Sequence, residues 1–384
     1  MEERVGIVAV AQTRFEPAKA KERFQEMAWE VVKAVREKTG LGHGEGEIDN
    51  AVTCSDDILD ARTISDAPMG DLVGAHYSSE EKVSHDSLQA LFYAAAVVLS
   101  GHSDITLVLA HCKESQASSR NMVTHAAFDP IFHQQVGLDY LSAAAIQARA
   151  YMDKYNVKPE QAAAAVVRDR KHAALNPKAQ EQTQVTVSDV LSSPLICDPL
   201  RNLDIYPTSD GAVAMIVANE KLASQITDKV VWIEGAGNCY DHFFLGDRDL
   251  WDSQSLRKAA DRAYRLAGID NPAAELDLVE ISAQNSYQEL LWLECLGLCP
   301  DGKAGGLVAT GATDLDAALP VNPSGGMMCG SPLIVSGMAR AAECVLQLRG
   351  EAGERQVTDA GLALAHGTTG PAGQHHCVMI LSRE

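Results

Sequence analysis

Nine cysteines and twelve histidines are the residues of this chain best suited to nucleophilic, redox or metal chemistry, and their spacing limits which of these is open to it. The cysteines stand at 54, 112, 197, 239, 295, 299, 329, 344 and 377, an odd number without short pairs. Cys295 and Cys299 in WLECLGLCP have helical spacing but no partner pair, so neither a disulfide framework nor a zinc knuckle fits. Reduced thiols in a cytoplasm are expected. The histidines form no HExxH or other ligand spacing, and His375 and His376 are expected on opposite faces of a strand, so no metal is expected.

Composition narrows the classes further. The 384 residues carry 52 acidic and 32 basic side chains, a net charge of −20, with 46% apolar residues. Such an acid excess offers no positive field for a nucleic-acid backbone. No stretch approaches the ~20 apolar residues of a membrane span. The start, MEERVGIVAVAQTRF, lacks the basic and long apolar regions of a signal peptide. A cytoplasmic protein that binds neither nucleic acid nor membrane is expected.

The elements that would position these residues follow from periodicity. Val5 to Val10 reads as a buried strand, and Phe24, Met27, Ala28, Val31, Val32 and Val35 share a helical face that ends at Gly40. A helix is expected over Asp86 to Leu99, then a strand from Ile105 to Ala110, apolar throughout as in a parallel sheet. Ala-rich helices fill much of 115–200. Beyond it, SDGAVAMIVA, VVWIEGAGN, LDLVEIS, GLALAHG and HCVMILS read as strands. SQSLRKAADRAYRLAG, SYQELLWLECLG and a segment through Cys344 read as helices. The second part thus repeats the strand–helix alternation of the first, which suggests two similar halves, 1–228 and 229–384, with the insertion at about 115–200 in the first.

SLQALFYAAAVVLSGHSDITLVLAH, SDGAVAMIVA, AGIDNPAAELDLVEIS, ELLWLECLGLCPDG and VNPSGGMMCGSPL together resemble the thiolase superfamily, in its sterol-carrier and archaeal branch, nearly end to end. The resemblance implies a five-layer αβαβα fold of two similar halves, with an insertion covering a coenzyme A channel. It also implies four catalytic stations. The family's nucleophilic cysteine lies six residues before the Ala-Leu of its helix; Ala90-Leu91 puts Ser84 there. A serine needs an adjacent base, and the neighbours His85 and Asp86 point in divergent directions at a helix start, where Ser84 or Asp86 equally serves as N-cap. The oxyanion-binding Asn or His of the second station corresponds to Ser282. The histidine of the Gly-His-Pro motif is replaced in Gly330-Ser331-Pro332, in a stretch one residue shorter than usual. The second cysteine, which protonates the leaving carbanion, corresponds to Gly367, with His366 beside it. Cys329 is the one thiol near these stations.

Around the stations the family's turns remain: Ser209-Asp210-Gly211 near the pantetheine channel, and Asn322, Pro323, Gly325 and Gly326 before the third station. Backbone N–H groups at Ser84 and Gly367 could still form an oxyanion hole, although glycines there could simply permit tight turns. Arg168, Arg170, Lys171 and Arg201 are candidates for the phosphates of coenzyme A, with a solvated helix face as the alternative for the first three. The resemblance implies an enzyme that makes or breaks a carbon–carbon bond next to a coenzyme A thioester, by retro-Claisen thiolysis or retro-aldol cleavage, on aryl substrates such as benzoylsuccinyl-CoA among others. Coenzyme A would be substrate or product, with no tightly bound cofactor. A homodimer is implied, with a small OB-fold, zinc-ribbon partner of the DUF35 family. The alternative is an inactive thiolase fold that carries acyl-CoA or serves as a scaffold.

Overall fold

A computed structural model describes residues 4–43, 47–60, 64–117 and 119–384. Its strands are β1 (Val5–Gln12), β2 (Asn50–Cys54), β3 (Ser79–Lys82), β4 (Ile105–Lys113), β5 (Leu195–Cys197), β6 (Leu200–Arg201), β7 (Asp210–Asn219), β8 (Val231–Tyr240), β9 (Leu278–Glu280), β10 (Leu362–Thr369) and β11 (His375–Ser382). β5 and β6 form a small ribbon, and the other nine make one sheet in the order β3-β2-β4-β7-β1-β8-β11-β10-β9. The strands of the first half join those of the second where Gly6 and Ile7 pair with Trp232 and Val231.

Alternation along the strands builds the layers, because successive side chains face opposite ways. Val108 and Ala110 share a core with Ala363, Ala365, Cys377 and Met379 of the second half, and with Leu88, Leu91, Met338 and Val345. Two helices, Ser87–Leu99 and Ser336–Leu348, therefore lie between the two half-sheets. Leu107 and Leu109 face the other way, onto Phe24, Met27 and Val31 of the helix Phe24–Thr39. Leu364, Val378 and Ile380 face Leu256, Ala260 and Trp292 of the helices Gln254–Ala267 and Ser286–Cys295. The result is the expected five layers, αβαβα.

The first central helix is apolar on nearly every side, as a helix buried between sheets must be. β4 is buried at all nine positions, but it is parallel only to β2 and antiparallel to β7. Its unbroken burial reports helices on both faces, and this does not require a fully parallel sheet. LDLVEIS yields a strand of only three residues, Leu278–Glu280. Beyond it the Ile281 N–H donates to the Asn322 side chain at 2.8 Å instead of to a strand. The insertion's long helices, Tyr140–Tyr155 and Pro159–Ala173, place Ala144, Ala148, Tyr151 and Ala165 in the outer core of the second half.

Candidate active site

The two central helices meet at their N-termini, where an α-helix has unsatisfied N–H groups. Asp86 caps both: Oδ1 accepts the Leu88 N–H at 2.9 Å and Oδ2 the Gly337 N–H at 2.9 Å. Ser87 completes the clasp, donating its N–H to the Ile334 carbonyl at 2.9 Å and accepting the Met338 N–H at 2.9 Å. The carboxyl also presses on β10: a Cβ at Gly367 or at Gly337 would overlap Asp86 Oδ1. Glycine is thus required at 367 by close approach, in a strand where no turn demands it. Asp86 is buried, and loss of water pushes its pKa up to about 7 against the opposing effects of the two N–H donors and Arg340.

Ser84, His85 and Asp86 separate as neighbours at a helix start should. Ser84 is exposed and has no hydrogen bond to any described group. His85 Nε2 is in close contact with the Tyr240 hydroxyl, and its ring meets that of His375 edge-on at 5.2 Å. Asp86 alone turns inward. At the second station the Ser282 hydroxyl is bonded to that of Ser336 at 2.6 Å, and its N–H donates to the His366 carbonyl at 3.2 Å. The third-station Ser331 hydroxyl is buried without a partner.

Cys329 lies elsewhere, packed against Ala173 and Ala179, with its carbonyl accepting the N–H groups of Gln180 and Glu181 at 3.2 and 2.9 Å. Burial raises that thiol well above its ordinary pKa. His375 and His376 do diverge, the first toward Tyr240 and the second into hydrogen bonds with His366 and Ser253 at 2.9 and 3.1 Å.

The family's retained turns are occupied by internal bonds. Asp210 holds the N–H of Lys19 at 2.8 Å and both the N–H and hydroxyl of Ser115. Ser209 bonds Glu114 and Gln180, and a Cβ at Gly211 would strike Phe15. Asn322 bridges Ile281, Asp169 and Glu289. Gly325, with φ +96°, lies where a Cβ would come 2.5 Å from that of Ala173, and a Cβ at Gly326 would crowd the Asn322 side chain and Asp169.

The basic candidates are engaged as well. Arg168 is buried in ion pairs with Asp169 and Glu289 and bonds Thr313 at 3.0 Å, so neither the phosphate role nor the solvated face describes it. Arg170 pairs with Glu181 at 2.7 Å, Lys171 with Asp314 at 2.9 Å, and Arg201 donates to the Ser193 carbonyl at 2.9 Å. Helical charge spacing cannot reveal that Arg168 and Arg170 are buried by the loop around Thr313 and by residues 176–181 while Lys171 stays exposed, as a solvated face would leave it.

Loop residues beside three of these stations, though not Ser84, Ser282, Ser331 or Gly367 themselves, wall a cavity of about 240 Å³. The second-station loop contributes Gln284, the loop after Ser331 contributes Leu333 and Ile334, and β10 and the loop after it contribute Thr369, Gly370 and Pro371. The segment after β2 adds Ile58 and Leu59, and the insertion adds Arg120, Val123 and Tyr140. Arg120 is the cavity's cation. It donates to the Tyr140 hydroxyl at 3.0 Å and the Tyr206 carbonyl at 3.1 Å, lies 4.0 Å over the Tyr206 ring, and is 3.6 Å from Glu114. Glu114 in turn accepts the Ser209 and Leu333 N–H groups at 3.0 and 2.8 Å, and burial raises its pKa. Neither Arg120 nor Glu114 stands in a motif, and no sequence signal pointed to them.

The acetyl-CoA acetyltransferase of Methanothermobacter thermautotrophicus is 36% identical over 291 residues, 74% of this chain and 76% of that protein. The chain belongs to the thiolase superfamily. The Thiolase C-terminal domain-like family matches residues 237–383 of this thiolase-fold chain. Sterol carrier protein 2 of Oryctolagus cuniculus is 36% identical over 230 residues, and the thiolase chain spans 41% of that protein's length. The benzoylsuccinyl-CoA thiolase subunit BbsB of Thauera aromatica is 28% identical over 229 residues, 59% of each chain. Among solved structures, the Ltp2-ChsH2(DUF35) aldolase matches with a TM-score of 0.86 at 25% identity, over 99% of this chain and 98% of that one. These relatives place the chain in the sterol-carrier and archaeal branch of the superfamily.

Proposed function

We propose that this protein makes or breaks a carbon–carbon bond next to a coenzyme A thioester, with the apolar cavity beside Gln284, Ile334 and Thr369 as its acyl site. One observation carries this reading: the loops of three altered stations and the covering insertion wall the same cavity although the family's catalytic side chains are gone. Retro-aldol cleavage of a 3-hydroxyacyl thioester suits the site better than thiolysis. It needs an enolate-stabilising environment and no acyl-enzyme, whereas Ser84 lacks a base and the Cys329 thiol is held protonated by burial. The likenesses to the Ltp2-ChsH2(DUF35) aldolase and to BbsB support a small DUF35 partner and extend the substrate range to aryl thioesters.

The protein would act in the cytoplasm as a homodimer, and β3 leaves a sheet edge open for that contact. Because the candidate arginines are paired internally, the partner would supply charge for the coenzyme A phosphates. Isothermal titration should give micromolar binding of coenzyme A, about 8 kcal/mol; no heat at millimolar ligand with the partner present would sink the reading. The second reading, an inactive acyl-CoA carrier, is favoured by the Ser282 hydroxyl being tied to Ser336. Binding without turnover of either 3-hydroxyacyl- or 3-oxoacyl-CoA would select it.

A further inference from the structure

We infer that Asp86, at the N-terminus of the first central helix, carries the proton to and from the α-carbon of the acyl group, from the space that a side chain at position 367 would fill. The inference rests on the acyl-CoA reading above and deepens it. In the family pattern the station at 367 protonates the leaving carbanion with a cysteine. Here that station is a glycine with no side chain to give, and the overlap between a Cβ at 367 and Asp86 Oδ1 shows what has taken the volume. The proton-carrying group has moved from a strand of the second half to a helix cap of the first.

The surroundings suit a carboxyl that changes protonation state. Each oxygen accepts one backbone N–H, from Leu88 and from Gly337, so the anion is held by two helix N-termini. Burial opposes the anion, and the two influences leave the group poised near neutrality. The charged and titratable groups facing it are Arg340 of the second central helix, Cys54 of β2 and Cys377 of β11, and both thiols are kept neutral by burial. Asp86 and Gly367 lie behind the cavity wall and do not line it; Ile334 lines it, and its carbonyl accepts the N–H of Ser87, the residue after Asp86.

The step balances simply. After the carbon–carbon bond breaks, its electron pair rests in the thioester enolate. The neutral Asp86 O–H bond breaks, its proton joins the α-carbon using the enolate's C=C electrons, and the carboxylate remains. In the reverse direction the carboxylate takes the α-proton and the C–H electrons form the enolate.

The test is exchange of the α-protons of acetyl-CoA for deuterium by the full chain in heavy water, followed by mass spectrometry, with coenzyme A affinity measured alongside. Wild type should exchange, and its rate should rise with pH to a plateau with a midpoint near 7. Asp86→Asn, which keeps the shape, should lower exchange by ~10²-fold or more, the usual loss for an acid–base group, while coenzyme A affinity stays within twofold. Gly367→Cys combined with Asp86→Ser should recover part of the exchange, with a midpoint moved toward that of a thiol.

Exchange by Asp86→Asn within threefold of wild type would overturn the inference and leave the acyl-CoA reading standing. Should Asp86→Asn not fold, absence of a midpoint between pH 5.5 and 8.5 in wild type overturns it equally. Binding without exchange in wild type refutes the proton transfer alone, and neither binding nor exchange refutes the acyl-CoA reading together with it.

Discussion

Two buried polar regions, each drawing residues from both halves, are built differently. Around the retained turn, Asn322 accepts from Ile281 and donates to Asp169 and Glu289, while Arg168 bonds both carboxylates and Thr313. Glu280 accepts from the Ser324 N–H at 2.7 Å and pairs with Arg340 at 2.8 Å. Burial, and after it the neighbouring Glu289 carboxylate, raise the pKa of Asp169. Where the central helices meet, Asp86 has two backbone donors and no bonded cation among the described residues. Among the described residues Arg168, Asp169, Glu289 and Asn322 leave no buried side-chain N or O unbonded, although Arg340 Nε does, and such a network fixes one geometry. A buried carboxyl with only two neutral donors holds one geometry in two protonation states. The first region is a brace, and the second is where the proton transfer is proposed.

The largest effect that sharpens this contrast is expected in the brace. Arg168→Met strands Asp169 and Glu289 in a buried site and should cost about 3–5 kcal/mol in denaturant unfolding; an unchanged midpoint would show that the network is not a brace. Next comes the pH dependence of stability at the crossing. Asp86 titrates near 3.8 when unfolded and near 7 when folded. Below about 4 both states are protonated. Between about 4 and 7 only the unfolded chain loses the proton, so stability should fall as pH rises and then level off, by a few kcal/mol in total. Glu280, also pushed up to about 7, contributes in the same window. Asp86→Asn should therefore flatten the slope of unfolding free energy against pH in part. An unaltered slope would mean the carboxyl is already ionised in the fold.

A smaller effect should come from the overlap itself. Gly367→Ala should destabilise wild type by more than it does the Asp86→Ser variant, with a coupling of about 0.5–3 kcal/mol in a double-mutant cycle. Additive losses would deny the contact. The smallest is expected outside both regions, where Lys171→Ala breaks the partly exposed pair with Asp314 and should change stability by under ~1 kcal/mol.

Much of the scaffold was legible in the residues. Gly40 does end its helix, with φ +74°, and Asp86 does cap the next. The apolar runs of 5–10, 105–110 and 375–382 are central strands because their neighbours on both faces are helices. The turn at Asn322–Gly326 was legible as retained, though not as the hub of an ion network. The residues read as standing at the family's stations go to different places. Ser84 is exposed, Cys329 lies in the seam with residues 173–181, and Ser331 is left unpaired.

The sequence by itself determined the elements and their caps, since these follow from backbone sterics and from periodicities of two and 3.6 residues within a single segment. Only the tertiary structure decided that Asp86 fills the space beside Gly367, that Arg168 is buried between two acids, and that Arg120 lies on the cavity with Tyr140 and Tyr206. Those outcomes depend on contacts between segments far apart in the chain, where packing volume and lost hydration set the state of each group, and no local pattern encodes either.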